Sequence, residues 1–479
     1  MTSPLPEPRD YIDGQTAPPT RTLETWLEDP TTAERLQPMR ATDDAALERA
    51  LAAAWRVHSE GTWAGLPLSE RAAYLAALAA ELDSRKERIA ELESRTTGAV
   101  IGTTSMLTII VSGAWHLAIQ QMEAHAAPLI MEGPNGNPTE IHRQTWGPAL
   151  ALVPWNAPAP MAAHKVANAL AAGCPVILKP SEFAPQGCDV FAEAAAAAKL
   201  PPGVFQIVHG AAAQGATLVA DPRIKAISFT GGLEGGRAIA RACAADFKPA
   251  QLELGGNNPV IVLEDADLDK TAAGIVNLMT ALNGQWCRAL GRLIIHETIA
   301  ERLLEMVLER LRGVKVGHPL ASESAMGPLI HSRHVAKLRG QIEALQRKGG
   351  TTHSTTPLPE GGNYLAPTLI TGVHPADAQD ELFGPIGTVH PFRTDDEALA
   401  LANGTPYGLE GYLFAGDSER AMRIGRRVHA GGVKVNGSSM MSLNLFAPRP
   451  AWGWSGYSEE GTVETYRFFC GTRVVGVEG

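Results

Sequence analysis

A thiol, a carboxylate and a side-chain amide, each set beside glycine or proline, could form a reactive site in this chain. Cys287 lies in Gly-Gln-Trp-Cys-Arg-Ala, Glu253 opens the upstream run Glu-Leu-Gly-Gly, and Asn156 follows Pro-Trp. A thiolate attacks carbonyl carbons, and a free thiol with a pKa near 8.5 needs only modest activation at neutral pH. A carboxylate can accept a proton, and a preorganised amide donor stabilises a developing oxyanion by about 3 kcal/mol. Together these groups predict nucleophilic attack on a carbonyl.

Each of these residues also has a structural interpretation. A lone cysteine is more often a small buried hydrophobe, and an asparagine after Pro-Trp can form an Asx turn. Glu253 could cap a helix or join a surface ion pair. However, it stands in the mostly apolar run Gln-Leu-Glu-Leu-Gly-Gly, where desolvation would raise its pKa toward the range useful for a general base.

A second group of residues predicts a dinucleotide site. Lys179 and Glu182 occur in Lys-Pro-Ser-Glu after an apolar run, and the glycine-rich segment 229–236 precedes a helical pattern. Helix N-terminal amides suit a pyrophosphate, although the usual Gly-x-Gly-x-x-Gly fingerprint does not occur. A carboxylate at Glu182 would accept ribose hydroxyls and repel a 2′-phosphate, so NAD is favoured over NADP, which stays possible.

Composition excludes several classes of partner. The 479 residues are 45% hydrophobic and 19% charged, which is ordinary for a globular chain of roughly three domains. The net charge of −10 argues against nucleic acid and against an acidic membrane surface. The segment 1–19 has no signal-peptide pattern, and the apolar stretch 106–119 is predicted to be too short and too polar to span a bilayer.

The cysteines favour a reducing environment. The five cysteines form no Cys-x-x-Cys pair and no His/Cys cluster. This odd number of unclustered thiols predicts free cysteines, a cytoplasmic location and no metal site.

Residue periodicity predicts an α/β fold with open parallel sheets and helices on both faces. Residues 42–94 show helical spacing, with Thr42 and Ser69 as candidate N-caps. From residue 149 short apolar strands alternate with helices, and a second α/β segment begins near residue 256. The stretches 139–144 and 466–477 alternate weakly and are predicted as strands.

Together the motifs resemble the aldehyde dehydrogenase superfamily, of the NAD(P)-dependent hydrolytic type, along nearly the whole chain. The resemblance implies two related α/β domains and a small oligomerisation ribbon. It divides the chain into an NAD-binding domain at 1–127 and 146–255, a catalytic domain at 256–454, and the ribbon at 128–145 and 455–479. Edge strands of such a ribbon pair between subunits, so a homodimer or homotetramer is expected.

The resemblance also implies a reaction, the oxidation of a small-molecule aldehyde to its carboxylic acid with NAD as hydride acceptor. Cys287 would attack the aldehyde, and water activated by Glu253 would cleave the resulting thioester. Asn156 would hold the oxyanion, and Lys165 matches a lysine of the family pattern near the active site. The residues implied at the cofactor are Val153, Trp155, Lys179, Ser181, Glu182, Gly210, Thr230, Gly231, Gly232, Leu254, Glu381 and Phe383. Among these, Glu381 would hold the nicotinamide ribose and Phe383 would pack near the ring.

Departures from the family pattern concentrate at the expected substrate pocket. Ala157 and His164 stand where the family often has aromatic residues, which implies a roomier tunnel, and Gly232 replaces a serine that usually touches phosphate. The segment 447–454 also lacks the usual Pro-Phe-Gly-Gly. The aldehyde and the roles of three nearby residues therefore stay open, namely Trp286, Arg288 and Arg449.

Three other functions fit part of this pattern. A CoA-acylating relative often lacks the glutamate that this chain has at Glu253. A cysteine hydrolase would leave Lys179 and Glu182 unexplained. A non-catalytic protein that kept the fold could have lost Cys287 or Glu253, and both are present.

Overall fold

The structure is a computed structural model that describes residues 4–133 and 136–478; parts of the predicted domains at residues 1–3, 134–135 and 479 lie outside the described residues. The first twelve strands are β1 (Asp10–Ile12), β2 (Gln15–Ala17), β3 (Arg21–Glu28), β4 (Arg35–Ala41), β5 (Leu129–Glu132), β6 (Pro138–Thr145), β7 (Ala149–Leu152), β8 (Val176–Lys179), β9 (Phe205–Ile207), β10 (Ala226–Thr230), β11 (Ala250–Glu253) and β12 (Asn258–Val262). The remaining strands are β13 (Leu290–His296), β14 (Thr351–His353), β15 (Thr368–Thr371), β16 (Ile386–Phe392), β17 (Tyr407–Gly408), β18 (Glu410–Phe414), β19 (Gly432–Val435), β20 (Arg449–Pro450), β21 (Trp452–Gly453), β22 (Gly456–Tyr457), β23 (Glu459–Glu460) and β24 (Cys470–Gly476).

The helices are α1 (Asp44–Ser59), α2 (Leu68–Asp83), α3 (Lys86–Thr97), α4 (Ile101–Ala124), α5 (Pro158–Ala171), α6 (Gln186–Ala197), α7 (Ala212–Ala220), α8 (Leu233–Asp246), α9 (Leu268–Thr280), α10 (Glu297–Arg312), α11 (Ser332–Arg347), α12 (Asp395–Asn403), α13 (Ser418–Gly425) and α14 (Thr462–Phe468).

The first sheet has the strand order β2-β1-β9-β8-β7-β10-β11-β22. Its five central strands, namely β9, β8, β7, β10 and β11, are parallel to one another. Antiparallel strands lie at both edges. Alternate side chains of these strands enter two cores: Ala151 and Leu178 pack toward α2–α6, whereas Leu150 and Ile177 pack toward α1, α7 and α8. Strands buried on both faces read as continuous apolar runs, as the sequence here does.

The second sheet has the order β14-β15-β16-β13-β12-β18-β19 and is parallel except for β14. Val260 and Leu293 face α9 and α10, whereas Ile261 and Ile294 face α12 and α13. The predicted α/β class with open parallel sheets and helices on both faces is confirmed.

Helix α4 is the element that the sequence analysis described least well. It has 24 residues and, by length and composition alone, is long and apolar enough to cross a membrane, so the prediction that this apolar stretch is too short is wrong. Val111, Trp115 and Ala118 are buried in the first core, where α4 packs against α2, α3 and α5. This packing is that of a core helix.

A small antiparallel sheet joins β5, β6 and β24. Strand β24 pairs with β6 from Cys470 opposite Thr145 to Gly476 opposite Thr139. Apolar side chains of the outer strands are exposed, including Ile130 and Val474. Another antiparallel pair, β3 with β4, was not predicted from the sequence.

Both predicted N-caps are wrong. Asp43 caps α1 by accepting a hydrogen bond from the Ala46 N–H at 2.8 Å, and α2 begins after Pro67 without a side-chain cap. Thr42 is buried instead, where its hydroxyl donates to Asp10 and accepts from the His209 N–H. A hydroxyl next to a helix start is therefore ambiguous when a neighbouring carboxylate can cap equally well.

Candidate active site

A cavity of about 700 Å³ lies where the parallel strands of the first sheet end. Strands β8, β10 and β11 end at Lys179, Thr230 and Glu253, and all three side chains line the cavity. The carboxyl ends of parallel strands are where open α/β sheets bind ligands. We call the wall formed by these strand ends and by α7 and α8 the sheet side.

The opposite wall consists of residues from helices and from loops of both sheets. We call it the α4 side. It is formed by Leu107 and Ile110 of α4, the start of α5, the loop before β13, and the segment that carries Met440 and Arg449. Cys287, Glu253 and Asn156 line the cavity between the two sides.

The loop that carries Cys287 has an unusual backbone. Leu282, Asn283 and Gly284 have successive φ angles of 48°, 59° and 73°, and a Cβ on Gly284 would lie 2.3 Å from the Pro385 nitrogen. The Asn283 amide fixes this conformation by bonding to backbone groups at Gly98, Pro328 and Gly327. Backbone in the left-handed region persists only where surrounding contacts determine it, so this loop holds the thiol in a defined place.

Asn258 is a functional candidate that the sequence analysis missed. Its Nδ2 donates to the carbonyl oxygens of Cys287 at 2.9 Å and Ala289 at 2.7 Å, and its Oδ1 accepts from the Glu410 N–H. The side chain thus clamps the backbone on both sides of Arg288. The signal was the pair Asn-Asn directly after Glu-Leu-Gly-Gly, which places a buried amide at the start of β12.

Asn156 lies beside the same loop. Its Nδ2 donates one hydrogen bond to the Gln285 carbonyl oxygen at 2.9 Å. A side-chain amide has two N–H donors, so one stays available for an oxygen atom in the cavity.

Cys287 differs from the other cysteines. Of the five free thiols among the described residues, it is the one with intermediate exposure, and the other four are buried. Burial and the nearby Glu253 carboxylate raise the pKa of the Cys287 thiol, and Arg288 acts in the opposite direction. The thiol therefore needs a neighbouring base or cation to become a thiolate.

Glu253 and Glu460 form a buried pair of carboxyl groups within hydrogen-bonding reach of each other. Burial and the Glu460 carboxylate raise the pKa of Glu253. Burial is the largest single influence on Glu460 and acts to raise its pKa, but Lys165, His164, Arg449 and the hydrogen bond from Glu253 together outweigh it, so the net shift of the pKa is downward. Lys165 Nζ lies 2.6 Å from Glu460 Oε1 and 2.8 Å from the Ser228 hydroxyl, which it donates to. The two carboxyl groups therefore differ, since the pKa of Glu253 is shifted upward and that of Glu460 downward.

Arg288 binds the other side of Glu253. Its Nη2 is 3.4 Å from Glu253 Oε1, and its Nη1 forms an ion pair with Glu410, which is buried. The base candidate therefore lies between a guanidinium and a second carboxyl group. Neither Glu410 nor Glu460 was predicted, because the residues that meet Glu253 come from distant strands.

Arg449 extends this network into the cavity. Its Nη2 is 3.7 Å from Glu460 Oε2 and 3.4 Å from His164 Nε2, and His164 also contacts the Thr465 hydroxyl at 3.0 Å. Burial, with a further contribution from Arg449, lowers the pKa of His164 to about 3. His164 is therefore neutral at physiological pH.

The sheet side has features that fit a dinucleotide. The Thr230 hydroxyl oxygen is buried without a hydrogen-bond partner among the described residues, and Gly232, at the N-cap of α8, has open space where a Cβ would lie. Lys179 is buried, which lowers the pKa of its ammonium group, and its Nζ donates to the Pro180 carbonyl at 3.1 Å. Glu182 lines the cavity nearby.

Glu381 explains the two glycines that follow Leu254. Its Oε1 accepts a hydrogen bond from the Gly256 N–H at 2.9 Å, and a Cβ on Gly255 would lie 2.1 Å from its Oε2. Burial raises the pKa of Glu381 to about 7. Phe383 packs edge-on against Trp155, with ring centroids 5.3 Å apart, at the same end of the cavity.

The structure brings the predicted site residues together with two exceptions. Lys165 does not line the cavity but reaches it through Glu460, and it is fully buried, not solvated. Gly210 also lies outside the lining, with a φ of 136° and the Gln214 side chain where a Cβ would be, although Ala211 and Ala212 line the cavity. Across residues 4–133 and 136–478, no group of three or more His, Cys, Asp or Glu residues is arranged to hold a metal ion.

Comparison with known proteins agrees with this geometry. The Aldehyde dehydrogenase family matches residues 20–475. The peroxisomal aminoaldehyde dehydrogenase 1 of Malus domestica is 35% identical over 96% of this chain and 93% of the relative, and the chloroplastic betaine aldehyde dehydrogenase of Beta vulgaris is 33% identical over the same shares. A solved structure of betaine aldehyde dehydrogenase from Staphylococcus aureus in complex with NAD+ superimposes with a TM-score of 0.93, at 26% identity, covering 99% of this chain and 97% of that one.

This chain therefore belongs to the aldehyde dehydrogenase family. It oxidises an aldehyde to its carboxylic acid and uses NAD as the hydride acceptor. The named plant relatives are peroxisomal or chloroplastic, and the compartment of this chain is not shown by them.

Proposed function

We propose that Cys287 is the nucleophile of this oxidation, that Asn156 stabilises the oxyanion, and that Glu253 is the base for hydrolysis. The observation that carries this proposal is that all three line one cavity together with the predicted cofactor residues Glu182 and Glu381. The Cys287 thiolate adds to the aldehyde carbon, and the carbonyl oxygen, now negative, faces the free N–H of Asn156. When bound, NAD accepts the hydride of this adduct, which leaves an acyl thioester on the cysteine.

Water then releases the acid. Attack on the thioester carbon expels the Cys287 thiolate, and Glu253 takes the proton that the water loses. To act as the base, Glu253 must be ionised, and its raised pKa moves the onset of this activity to higher pH than for a free glutamate. Lys165, which lies 2.6 Å from Glu460 and lowers the pKa of that carboxyl group, is a positioning residue in this account, because the Glu460 carboxylate in turn raises the pKa of Glu253.

The cofactor would be held by the sheet side. We infer that the α8 N-terminus at Thr230, Gly231 and Gly232 binds the pyrophosphate and that Glu182 binds the adenosine ribose, with Lys179 and Ser181 beside it. The orphan hydroxyl of Thr230 and the open space at Gly232 support this assignment. The remaining inferred contacts, at the nicotinamide end and along the strand ends, are Val153, Trp155, Leu254, Glu381 and Phe383; Gly210 would act only by shaping the turn before α7.

We also infer that the sheet of β5, β6 and β24 pairs between subunits through its outer strands β5 and β24, which carry exposed apolar side chains, as the resemblance implied for a homodimer or homotetramer. The domain boundaries given above and a cytoplasmic location stay predictions. The grouping of strands into two large sheets supports the division into two α/β domains, and the free cysteines support the cytoplasmic location.

The decisive experiment compares two cysteine variants. Cys287→Ala should reduce aldehyde oxidation by more than about 10⁴-fold, since the covalent route is lost, while NAD binding measured by calorimetry stays within a few-fold of the parent. Cys243→Ala is the matched control, because Cys243 is a buried thiol of α8 that does not line the cavity. Turnover by Cys287→Ala at the rate of Cys243→Ala would disprove the assignment.

A further inference from the structure

The α4 side of the cavity is poorly suited to a cationic substrate. Apart from Arg449, its side chains from α4, α5 and the loop with Met440 are apolar, and among the described lining residues the carboxylates are Glu182, Glu253 and Glu381. Two of these belong to the proposed cofactor site and the third is the proposed base. A buried cation needs a carboxylate partner or a cage of several aromatic rings. The α4 side provides no such carboxylate, and its one aromatic ring, that of Trp286 beside the nucleophile, does not form a cage.

Two charged side chains line the α4 side, Arg288 and Arg449. Arg288 is already paired with Glu253 and Glu410, so Arg449 is the one that remains for a ligand. Among the described residues, its guanidinium contacts Glu460 and His164, in both cases through Nη2. Both contacts are long, at 3.7 Å to Glu460 Oε2 and 3.4 Å to His164 Nε2. The side chain is 29% exposed and lines the cavity. Nε and Nη1 are therefore donors without a protein acceptor among the residues described, in a guanidinium that is held in place at one end.

The surrounding charges leave this guanidinium incompletely neutralised. Glu410 is paired with Arg288, and Glu460 is bound more closely by Lys165, at 2.6 Å, than by Arg449. Glu253 is paired with Arg288, whose Nη2 lies 3.4 Å from its Oε1. An anion placed beside Arg449 would complete the balance, whereas a cation would meet like charge.

We propose that the substrate is an aldehyde that carries a carboxylate or a comparable oxyanion, bound by the free N–H groups of Arg449 while the aldehyde carbon reaches Cys287. This inference rests on the proposed role of Cys287. The paired N–H groups of a guanidinium match the two oxygens of a carboxylate. Glu460 lies beside both Glu253 and Arg449, which places the guanidinium near the proposed base, and a short carbon spacer between the anion and the aldehyde is therefore part of the proposal.

Such a substrate would distinguish this chain from the two plant relatives described above. Those two are named for aminoaldehydes and betaine aldehyde, which carry a positive charge at the end remote from the aldehyde. Arg449 would repel that charge. This chain is thus expected to prefer negatively charged aldehydes, although the reaction is the same.

Three four-carbon aldehydes test the preference: 4-oxobutanoate as the anion, butanal as the neutral aldehyde and 4-trimethylammoniobutanal as the cation, which cannot cyclise. NADH formation gives kcat/KM for each. We expect the anion to exceed butanal by about 10- to 100-fold, the value of a charge-assisted hydrogen bond, and the cation to be the poorest. A cation that equals or exceeds the anion would overturn the proposal.

Variants assign the preference to one side chain. Arg449→Met should bring the ratio of kcat/KM for the anion to that for butanal close to one, mainly through KM, and Arg449→Lys should retain part of the ratio. Arg393→Met, which removes an exposed arginine paired with Glu297 at the surface, controls for net charge and should leave the ratio unchanged. An equal loss for all three aldehydes in Arg449→Met would contradict a role in substrate choice. Absence of turnover with all three in the parent enzyme would instead count against the proposed function itself, whereas turnover without preference for the anion defeats this inference alone.

Discussion

The two sides of the cavity are built in different ways. The sheet side is formed where neighbouring strands end, so backbone geometry and glycines shape it, and its charged residues, such as Lys179 and Glu182, lie at or just after strand ends. The α4 side and the chemistry beside it depend on Arg288, Arg449, Glu410 and Glu460, which come from separate parts of the chain and meet only in the folded protein. The first region therefore follows from the fold class, whereas the second is particular to this chain.

This difference has a functional consequence. A cofactor shared by many dehydrogenases is held by features that any open parallel sheet supplies, namely strand ends and helix N-termini. Substrate choice and proton control instead use buried ion pairs, whose cost of desolvation must be offset by close partners. Substitutions on the two sides should accordingly change different kinetic quantities.

After the loss of the nucleophile itself, the largest expected effect is the loss of the base, Glu253. Glu253→Gln keeps the size of the side chain and removes its basicity, so steady-state turnover should fall by about 10²- to 10⁴-fold. A rapid burst of up to one equivalent of NADH should remain, because water attack follows hydride transfer, and the acyl group should be detected on Cys287 by mass spectrometry.

The matched control for this prediction is Glu459→Gln, an exposed carboxylate next to Glu460 whose side chain should not influence the rate. A stalled Glu253→Gln enzyme that carries no acyl group after a full burst would rule out the role in hydrolysis, as would unimpaired turnover.

A smaller effect is expected from the guanidinium that contacts Glu253. Arg288 lowers the pKa of Glu253, whereas burial and Glu460 raise it. Replacing Arg288 alone would leave Glu410 buried and unpaired, so the informative variant is Arg288→Met with Glu410→Gln. The loss of the guanidinium beside Glu253 should raise the pKa of that carboxyl group. The acid limb of the pH profile of deacylation should therefore move to higher pH, with a rate about tenfold lower at a given pH on that limb for each pKa unit.

Glu410→Gln alone should shift the pKa of Glu253 in the opposite direction. It removes the carboxylate that competes for Arg288, so the pKa of Glu253 should fall and the acid limb should move to lower pH. The other charged or titratable groups that face Glu253, namely Glu460, Arg449 and the Cys287 thiol, are unchanged in both variants. Acid limbs that coincide in the two variants would show that Arg288 has only a structural role.

How far the sequence predicted these two regions follows from their construction. The alternation of apolar strands and helices predicted the central strands β7 to β10, and thereby that Lys179 and Thr230 follow strand ends, because parallel strands present their carboxyl ends at one edge. Strand β11 was not predicted, and the role of Glu253 came from the resemblance. Resemblance supplied Glu381 and Phe383, and the hydrogen bond to Gly256 now gives the physical reason for the Gly-Gly sequence.

The rest could not be predicted because it depends on pairing between distant segments. Glu460 contacts Lys165 across 295 positions of sequence, and Arg288 contacts Glu410 across 122. In local sequence each of these residues is an ordinary charged residue. Helix α4 was also missed, because Ser112, Gly113 and His116 interrupt an apolar run that tertiary packing nonetheless holds as one helix.

The smallest expected effect concerns cofactor choice on the sheet side. Glu182 lines the cavity, and its carboxylate should accept ribose hydroxyls and repel a 2′-phosphate, so kcat/KM should be higher with NAD than with NADP. Glu182→Gln keeps a hydrogen-bond acceptor but removes the charge, and should narrow the NAD-to-NADP ratio by about tenfold, close to 1.4 kcal/mol. The Arg449→Met variant is the useful comparison, since it should change the preference among aldehydes and leave the cofactor ratio as it is. If Glu182→Gln altered the aldehyde preference instead, the sheet side and the α4 side would not act separately. The assignment of cofactor binding to the sheet side and of substrate choice to the α4 side would then be wrong.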